Sequence, residues 1–313
     1  MMVTACGGNA NAGTSDSGTT DDKVTLAFSQ VGSESGWREA NTKSIQDSAR
    51  DAGIELKFDS ADEKQDAQIA AIRSYIKAKV NVIAFSPVVT SGWDAVLGEA
   101  KAAKIPVVVT DRTIDTQDKS LYKTFIGSDF LSEGKKAGDW LVKEYSGKTG
   151  PVSIVELEGT AGSAPAIDRK KGFASAIDAD PKFKVTTSQT ADFTRQHGKE
   201  VMAGILKTTP HFDVLFAQND DMGLGAIEAL QEAGIKPGVD VKIVTVDAVH
   251  DGMAALAESK IDFIVECSPL LGPQLMDVVK KIHKGETVPA VVVTEETTFT
   301  PEQAKIALPN RAY

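Results

Sequence analysis

Asp111 and Arg112 stand side by side directly after the apolar run Ile105 to Thr110, so a carboxylate acceptor adjoins a fork of guanidinium donors. Similar polar groups end other short apolar runs: Ser29 and Gln30, Ser86, Glu158, Asn219, Asp247 and Glu266. Singly, Asp, Asn and Ser in such places are ordinary helix caps and turn formers, and an adjacent Asp and Arg can be a local ion pair. As a set, they match a ligand that presents many hydroxyls at once. Catalysis asks for other patterns. The histidines, His197, His211, His250 and His283, are dispersed, without a pair at metal-ligand spacing, and the sequence has no Gly-x-Ser-x-Gly elbow. Gly223-Leu224-Gly225 lacks the third glycine of a dinucleotide fingerprint, and no Gly-x-x-x-x-Gly-Lys occurs. Asp220 and Asp221 open a predicted helix, where carboxylates complement the helix dipole without acid–base work. No metal, cofactor or enzymatic activity is expected.

The elements that must position these groups alternate along the chain. Val24 to Ser29 reads as a strand, Trp37 to Ala52 as a helix that Gly53 ends, and Ile54 to Asp59 as a second strand. Asp66 to Lys79, Val82 to Ser86, Trp93 to Ala103 and Ile105 to Thr110 continue the helix and strand alternation. A second series has helices at 132–145, 166–177, 196–207 and 222–233, with strands at 152–157, 184–187, 214–217 and 242–246. Then come helix 252–258, strand 263–267, helix 272–284 and an extended stretch 288–297. Such alternation predicts an α/β fold with two Rossmann-like, doubly wound parallel-sheet lobes, in which ligands sit beyond the carboxyl ends of the strands. With 313 residues, 42% of them hydrophobic, two domains are the default.

The formal charge of −10 and the lack of a basic block exclude a nucleic-acid footprint. No apolar stretch reaches the ~18 residues of a membrane span. Two cysteines occur: Cys267, in an apolar run, reads as a small buried hydrophobe, while Cys6 lies in a polar leader. Val3-Thr4-Ala5-Cys6-Gly7 resembles a bacterial lipobox, which would make Cys6 the lipidation site and residues 1–22 a leader and flexible tether rich in Gly, Ser and Thr. Only Met1 and Met2 precede the box, so the true start is expected upstream. The other reading is a disordered leader with an incidental cysteine.

Longer strings carry a resemblance. Phe28-Ser29-Gln30-Val31-Gly32-Ser33-Glu34-Ser35-Gly36-Trp37-Arg38, Ser86-Pro87-Val88-Val89, Asp111-Arg112, Gly138 to Glu144, Ile167 to Phe173, Asp192 to Arg195 and Asn219 to Met222 resemble the type I periplasmic sugar-binding proteins of the ribose and galactofuranose group. The resemblance runs from Lys23 to Tyr313. It implies the periplasmic binding protein type I fold, with an N-terminal lobe of 23–127 plus 267–294, a C-terminal lobe of 128–266 plus 295–313, and a three-stranded hinge crossing near Gly127, Glu266 and Thr294. It further implies a sugar held by Arg38, Asp111, Arg112, Arg169, Asn219 and Asp247, with Glu34, Glu158 and Glu266 as further partners and Ser29 and Ser86 as lesser ones. Trp37 and Phe193 are candidate stacking faces for a sugar ring, or core side chains. The implied protein is a monomeric, extracytoplasmic substrate-binding component of an ABC importer. Its partners are a monosaccharide and a transporter permease, and it meets the membrane through its lipid anchor only.

Trp37-Arg38 replaces a pair of aromatics of the ribose pattern, and Glu266 replaces an amide, so galactofuranose is expected over ribose. A furanose of another sugar presents similar hydroxyls. Two readings from other classes compete: the effector domain of a sugar-responsive repressor, which needs a helix-turn-helix head that this leader does not supply, and a receptor that reports a sugar or furanosyl signal to a membrane sensor.

Overall fold

Short runs of Val, Ile, Leu, Phe and Ala that are apolar on both faces belong inside parallel sheets covered on two sides. In the computed structural model, which describes residues 1–2 and 23–313, they do so twice. Cys6 and the rest of the leader lie outside the described residues. The first series is β1 (Thr25–Gln30), α1 (Gly36–Asp51), β2 (Glu55–Ser60), α2 (Gln65–Ala78), β3 (Val82–Phe85), α3 (Asp94–Ala102), β4 (Val107–Thr110) and β5 (Thr124–Gly127). The second is α4 (Phe130–Glu144), β6 (Val152–Glu158), α5 (Ala164–Ile177), β7 (Phe183–Thr190), α6 (Arg195–Thr208), β8 (Val214–Ala217), α7 (Asp220–Glu232), β9 (Lys242–Asp247), α8 (His250–Ala257) and β10 (Phe263–Glu266). The chain closes with α9 (Gly272–His283), β11 (Val291–Val293), β12 (Thr298–Phe299) and α10 (Pro301–Ala307).

One sheet has the order β11-β5-β4-β3-β1-β2, the other β12-β10-β9-β8-β6-β7. Both follow one winding, in which the first strand of each series lies between the second and third, and every pairing is parallel except β10 with β12. Helices cover both faces. Leu26, Phe28, Val82 and Ala84 meet Ile45 of α1 and Leu275 and Val279 of α9, while Ala27, Ile83 and Phe85 meet Ile72, Tyr75, Trp93 and Leu97 from the α2 and α3 side. Starts and stops are chemical: Ser35, Thr194 and Asn219 cap α1, α6 and α7 through their side chains, and Gly53 follows α1 at φ +70°.

Three segments connect the sheets. After β5 the chain passes into α4, after β10 it returns to α9 against α1, and between β11 and β12 it changes sheet once more. One carboxylate touches all three. Glu296 accepts hydrogen bonds from Ser128 Oγ, from Ser268 N at 3.0 Å and from Thr294 Oγ1 at 2.7 Å.

Within the stretch 288–297, expected to be extended, Val291–Val293 pairs with β5 as strand; Val293 is the last residue in register with Gly127, and the chain then passes to the other sheet. β5 and α10 are elements beyond those the sequence pattern predicts. The helix around Gly223 and Gly225 is present, with Gly225 in backbone contact with α6.

Candidate functional site

Loops and strand ends from both sheets converge on a small cavity of about 30 Å3. One side is built by Glu34, Ser35, Trp37 and Arg38 after β1 and by Asp111 and Arg112 after β4; the other by Phe130, Pro165, Arg169, Phe193, Asn219 and Asp247; Cys267 lies at the seam.

On the first side, two carboxylates and two guanidiniums interlock. Glu34 Oε1 takes Arg38 Nε at 2.9 Å and Arg112 Nη2 at 3.3 Å, and Asp111 Oδ2 takes Arg38 Nη2 at 2.7 Å and Ser86 Oγ at 2.8 Å. All four side chains are buried. Burial pushes the Glu34 carboxyl up, but Arg38 and Arg112 outweigh it and hold the group below the usual range. For Arg112, burial and the nearby Arg38 and Arg169 charges outweigh its carboxylate partners and pull the guanidinium down. Glu34 Oε2 and Arg112 Nε are buried without a hydrogen-bond partner in the protein, so an acceptor and a donor await a hydroxyl-bearing ligand.

On the second side, Arg169 of α5 is held from three directions: Nε by Glu133 Oε2 at 2.7 Å, Nη1 by the Gln218 carbonyl at 2.7 Å and Nη2 by Asp247 Oδ1 at 3.6 Å. Burial pushes the Glu133 carboxyl up to about 8 despite Arg169. Asp247 is also raised, by burial first and by Asp220 in addition, with Arg169 opposing. Asn219 caps α7 through Met222 N at 2.9 Å and donates to the Phe193 carbonyl at 3.0 Å, leaving one amide proton and one lone pair for a ligand.

Aromatic rings complete the wall. The Phe193 ring centroid lies 5.4 Å from the Arg112 guanidinium and 6.0 Å from that of Arg169, bridging the two sides. Trp37 lies 4.7 Å from Arg38 and donates from Nε1 to the Cys267 carbonyl at 2.7 Å. Left-handed backbone gathers around this cavity: Asp111 (φ +60°), Asp192 (+53°), Phe193 (+63°), Asp247 (+120°) and Ala248 (+66°). Such φ values cost of order 1–2 kcal/mol each for residues with a Cβ. Three of these residues, Asp111, Phe193 and Asp247, line the cavity. Buried donors and acceptors of both signs beside flat apolar faces suit a neutral polyol with an apolar C–H face, not a charged or wholly apolar molecule.

A family model described as a periplasmic binding protein domain matches residues 26–287. The chain belongs to the periplasmic binding protein family. It is 46% identical over 286 residues, 90% of this chain and 89% of the other, to the galactofuranose-binding protein YtfQ of Escherichia coli K12. A solved structure from Mycobacterium smegmatis in complex with β-D-fucofuranose is 61% identical, with a TM-score of 0.91 over 92% of this chain and 94% of that one. A second structure from Mycobacterium smegmatis, 59% identical over the same shares, has a TM-score of 0.71. The Escherichia coli relative is named as a binding protein, and the two-lobed architecture is that of the type I fold.

In this periplasmic binding protein, Glu34, Trp37, Arg38, Asp111, Arg112, Arg169, Phe193, Asn219 and Asp247 share the cavity wall. Ser86 stands one layer behind it, donating to Asp111 and accepting from Arg38 Nη1 at 3.3 Å, and Ser29 is buried outside the wall. Two expected ligand groups are elsewhere. Glu158 is taken by Lys170 Nζ at 2.7 Å and by Ser188 on the edge strand β7, and Glu266 by Arg311 Nη1 at 2.7 Å and Tyr313 Oη at 2.9 Å of the C-terminal tail. The side chains alternate along a strand and the backbone turns at its end, so the residue that faces the cavity depends on how each strand exits. At both strands the residue one step further serves the cavity: Cys267 lines it, and Gly159 makes room for Phe193, since a Cβ there would sit 1.8 Å from the ring. Sequence reasoning missed Ser35, Phe130, Pro165 and Cys267, together with Glu133 and Gln218 behind Arg169. For Cys267 the strand-end rule, read one residue later, was the available signal. Glu133 and Arg169 are 36 residues apart on different helices, and nothing local marks the pair.

Proposed function

We propose that this protein is the extracytoplasmic substrate-binding component of an ABC sugar importer and that it captures a monosaccharide in furanose form, galactofuranose first, between its lobes. The observation that carries this reading is the paired Glu34–Arg38–Asp111–Arg112 and Glu133–Arg169–Asp247 clusters facing one cavity, with Phe193 between their guanidiniums. The relatives support it: one is named for galactofuranose and one holds β-D-fucofuranose, which is the same ring without its 6-hydroxyl. Arg38, Asp111, Arg112, Arg169, Asn219 and Asp247 contact the sugar, with Glu34 beside them and Trp37 and Phe193 on the C–H faces. The lobes, 23–127 plus 267–294 and 128–266 plus 295–313, close as a hinge through crossings near Gly127, Glu266 and Thr294. The fall in TM-score from 0.91 to 0.71 at nearly equal identity and equal coverage supports two lobe arrangements in this group. A sugar that bridges the lobes favours the closed one by its differential affinity. The importer permease then reads the closed form. The protein works as a monomer, tethered by lipid on Cys6, a reading that rests on the Val3-Thr4-Ala5-Cys6-Gly7 string alone.

Calorimetry and thermal shift against D-galactose, D-fucose, L-arabinose, D-ribose and D-glucose test this. Saturation at 100 times the dissociation constant adds about 2.7 kcal/mol of stability. Arg169→Ala or Asp247→Ala weakens the binding by about 2–5 kcal/mol, because a buried polar partner is left unpaired. Unchanged affinity in both variants overturns the site.

A further inference from the structure

Across the rim of the cavity, one side chain of the second lobe reaches the backbone of the first. Asp221 Oδ2 accepts from Gly36 N at 2.8 Å, while Arg195 Nε lies 3.5 Å from its Oδ1. Both partners are anchored beside the ligand wall: Gly36 is the first residue of α1 and is followed by Trp37 and Arg38, and Asp221 comes two residues after Asn219. Asp221 is not itself part of that wall. The first N–H groups of a helix have no intrahelical acceptor and sit at its positive end, so a carboxylate placed there makes a charge-assisted bond. A second cross-lobe bond among the described residues, Thr90 N to the Gly162 carbonyl at 3.0 Å, is backbone only. We infer that Asp221 is a positioning residue for closure: its carboxylate latches the first turn of α1 across the cleft and lengthens the time a captured sugar is held. This rests on the hinge reading above.

A latch made only in the closed form acts after the sugar has entered the open one. It leaves the association rate unchanged and slows dissociation, and it raises the closed fraction of the free protein by the same factor. A hydrogen bond to a buried charge is worth enough for about a ten-fold effect. Two measurements on the full chain test it: stopped-flow release of D-fucose and D-galactose, and the interlobe distance distribution of the sugar-free protein from spin labels on the two lobes. Asp221→Ala speeds release about ten-fold at an unchanged association rate and shifts the free ensemble toward longer distances. Asp221→Asn, which keeps an acceptor oxygen, recovers part of both effects. Gly36→Pro removes the donor at a helix position that tolerates proline, after a Ser35 whose backbone is already extended, and it mimics Asp221→Ala. In the Asp221→Ala background the proline adds nothing further.

Release rates like wild type in Asp221→Ala overturn the latch, as does an effect confined to the association rate or a Gly36→Pro effect that multiplies with that of Asp221→Ala. If the wild-type protein binds neither sugar, the function proposed above is what fails. The distance distribution then decides the latch alone, and an unchanged one overturns it.

Discussion

Arg169 brings one positive charge to two buried carboxyl groups, Glu133 and Asp247, and a single guanidinium cannot compensate both away from water. The proton balance follows. Glu133, pushed up to about 8, is protonated at neutral pH in the folded protein and ionised in the unfolded chain, where its value is near 4.5. Between those values the folded state binds the extra proton, so stability is greatest at the acid end and declines as pH rises, by about 1.4 kcal/mol per unit for one group, levelling above 8. Asp247 and Asp220, both raised by burial, act in the same direction. Glu133→Gln, which keeps the shape and removes the titration, is expected to take one proton's share out of this slope. Urea unfolding at half-unit steps from pH 5 to 8.5 measures it, and a slope equal to wild type means that Glu133 stays ionised throughout.

Glu133 reaches Arg169 because α4 and α5 approach to backbone contact. A Cβ at Gly134 would stand 2.0 Å from the Arg169 carbonyl oxygen, and one at Gly172 2.1 Å from that of Leu131. The two glycines are needed for the lack of a side chain, so Gly172→Ala forces the helices apart. Overpacking of this kind costs about 1–3 kcal/mol, and more where backbone must shift. The melting temperature should fall by at least 2–4 °C and sugar affinity should fall with it, since Arg169 moves with the seam. A melting temperature within one degree of wild type would show that the seam relaxes freely. This seam also marks the limit of what the sequence discloses. Apolar runs such as Val82–Phe85 and Val214–Ala217 announce central parallel strands, and Ser35, Gly53 and Asn219 announce helix ends, because those signals are local. β5 hides its strand character in Thr124–Gly127, four residues that are buried only once β4 and β11 flank them. The direction of a strand-end side chain, which decides Glu158 and Glu266 against the cavity and Cys267 for it, depends on the exit angle of each strand, and the neighbours that claim those glutamates come from β7 and the C-terminal tail. Arg38, Asp111, Arg112, Arg169 and Asn219 were legible because they stand within shared strings, and Asp247 because it ends an apolar run; Glu133 and Gln218, which also hold Arg169, were not.

At the scale of the whole molecule, the motion proposed for capture must pass through the three segments that join the sheets, and these are tied together by one side chain. Glu296 binds Ser128 on the first crossing and Ser268 N on the second, and Thr294 on its own crossing also donates from its backbone to the Gly127 carbonyl at 3.0 Å. Bonds among crossing segments survive a rotation of the lobes better than bonds between lobe surfaces, because points on the hinge axis move least. They therefore restrict how the open form splays and twists without opposing closure itself. Untying them with Glu296→Ala gives the sugar-free protein more conformational freedom, which closure must then remove, so binding weakens by about 1 kcal/mol while the closed form is unaltered. Small-angle scattering reads both halves of this expectation. Wild-type protein contracts on saturation with sugar. Glu296→Ala is more extended and more heterogeneous than wild type when free, yet reaches the wild-type radius of gyration at saturation. Glu296→Gln, which retains one acceptor oxygen for Ser128 or Thr294, falls between them. If free Glu296→Ala scatters as wild type does and binds sugar with the same affinity, the crossings are held by their backbone pairing and the carboxylate has no part in the hinge.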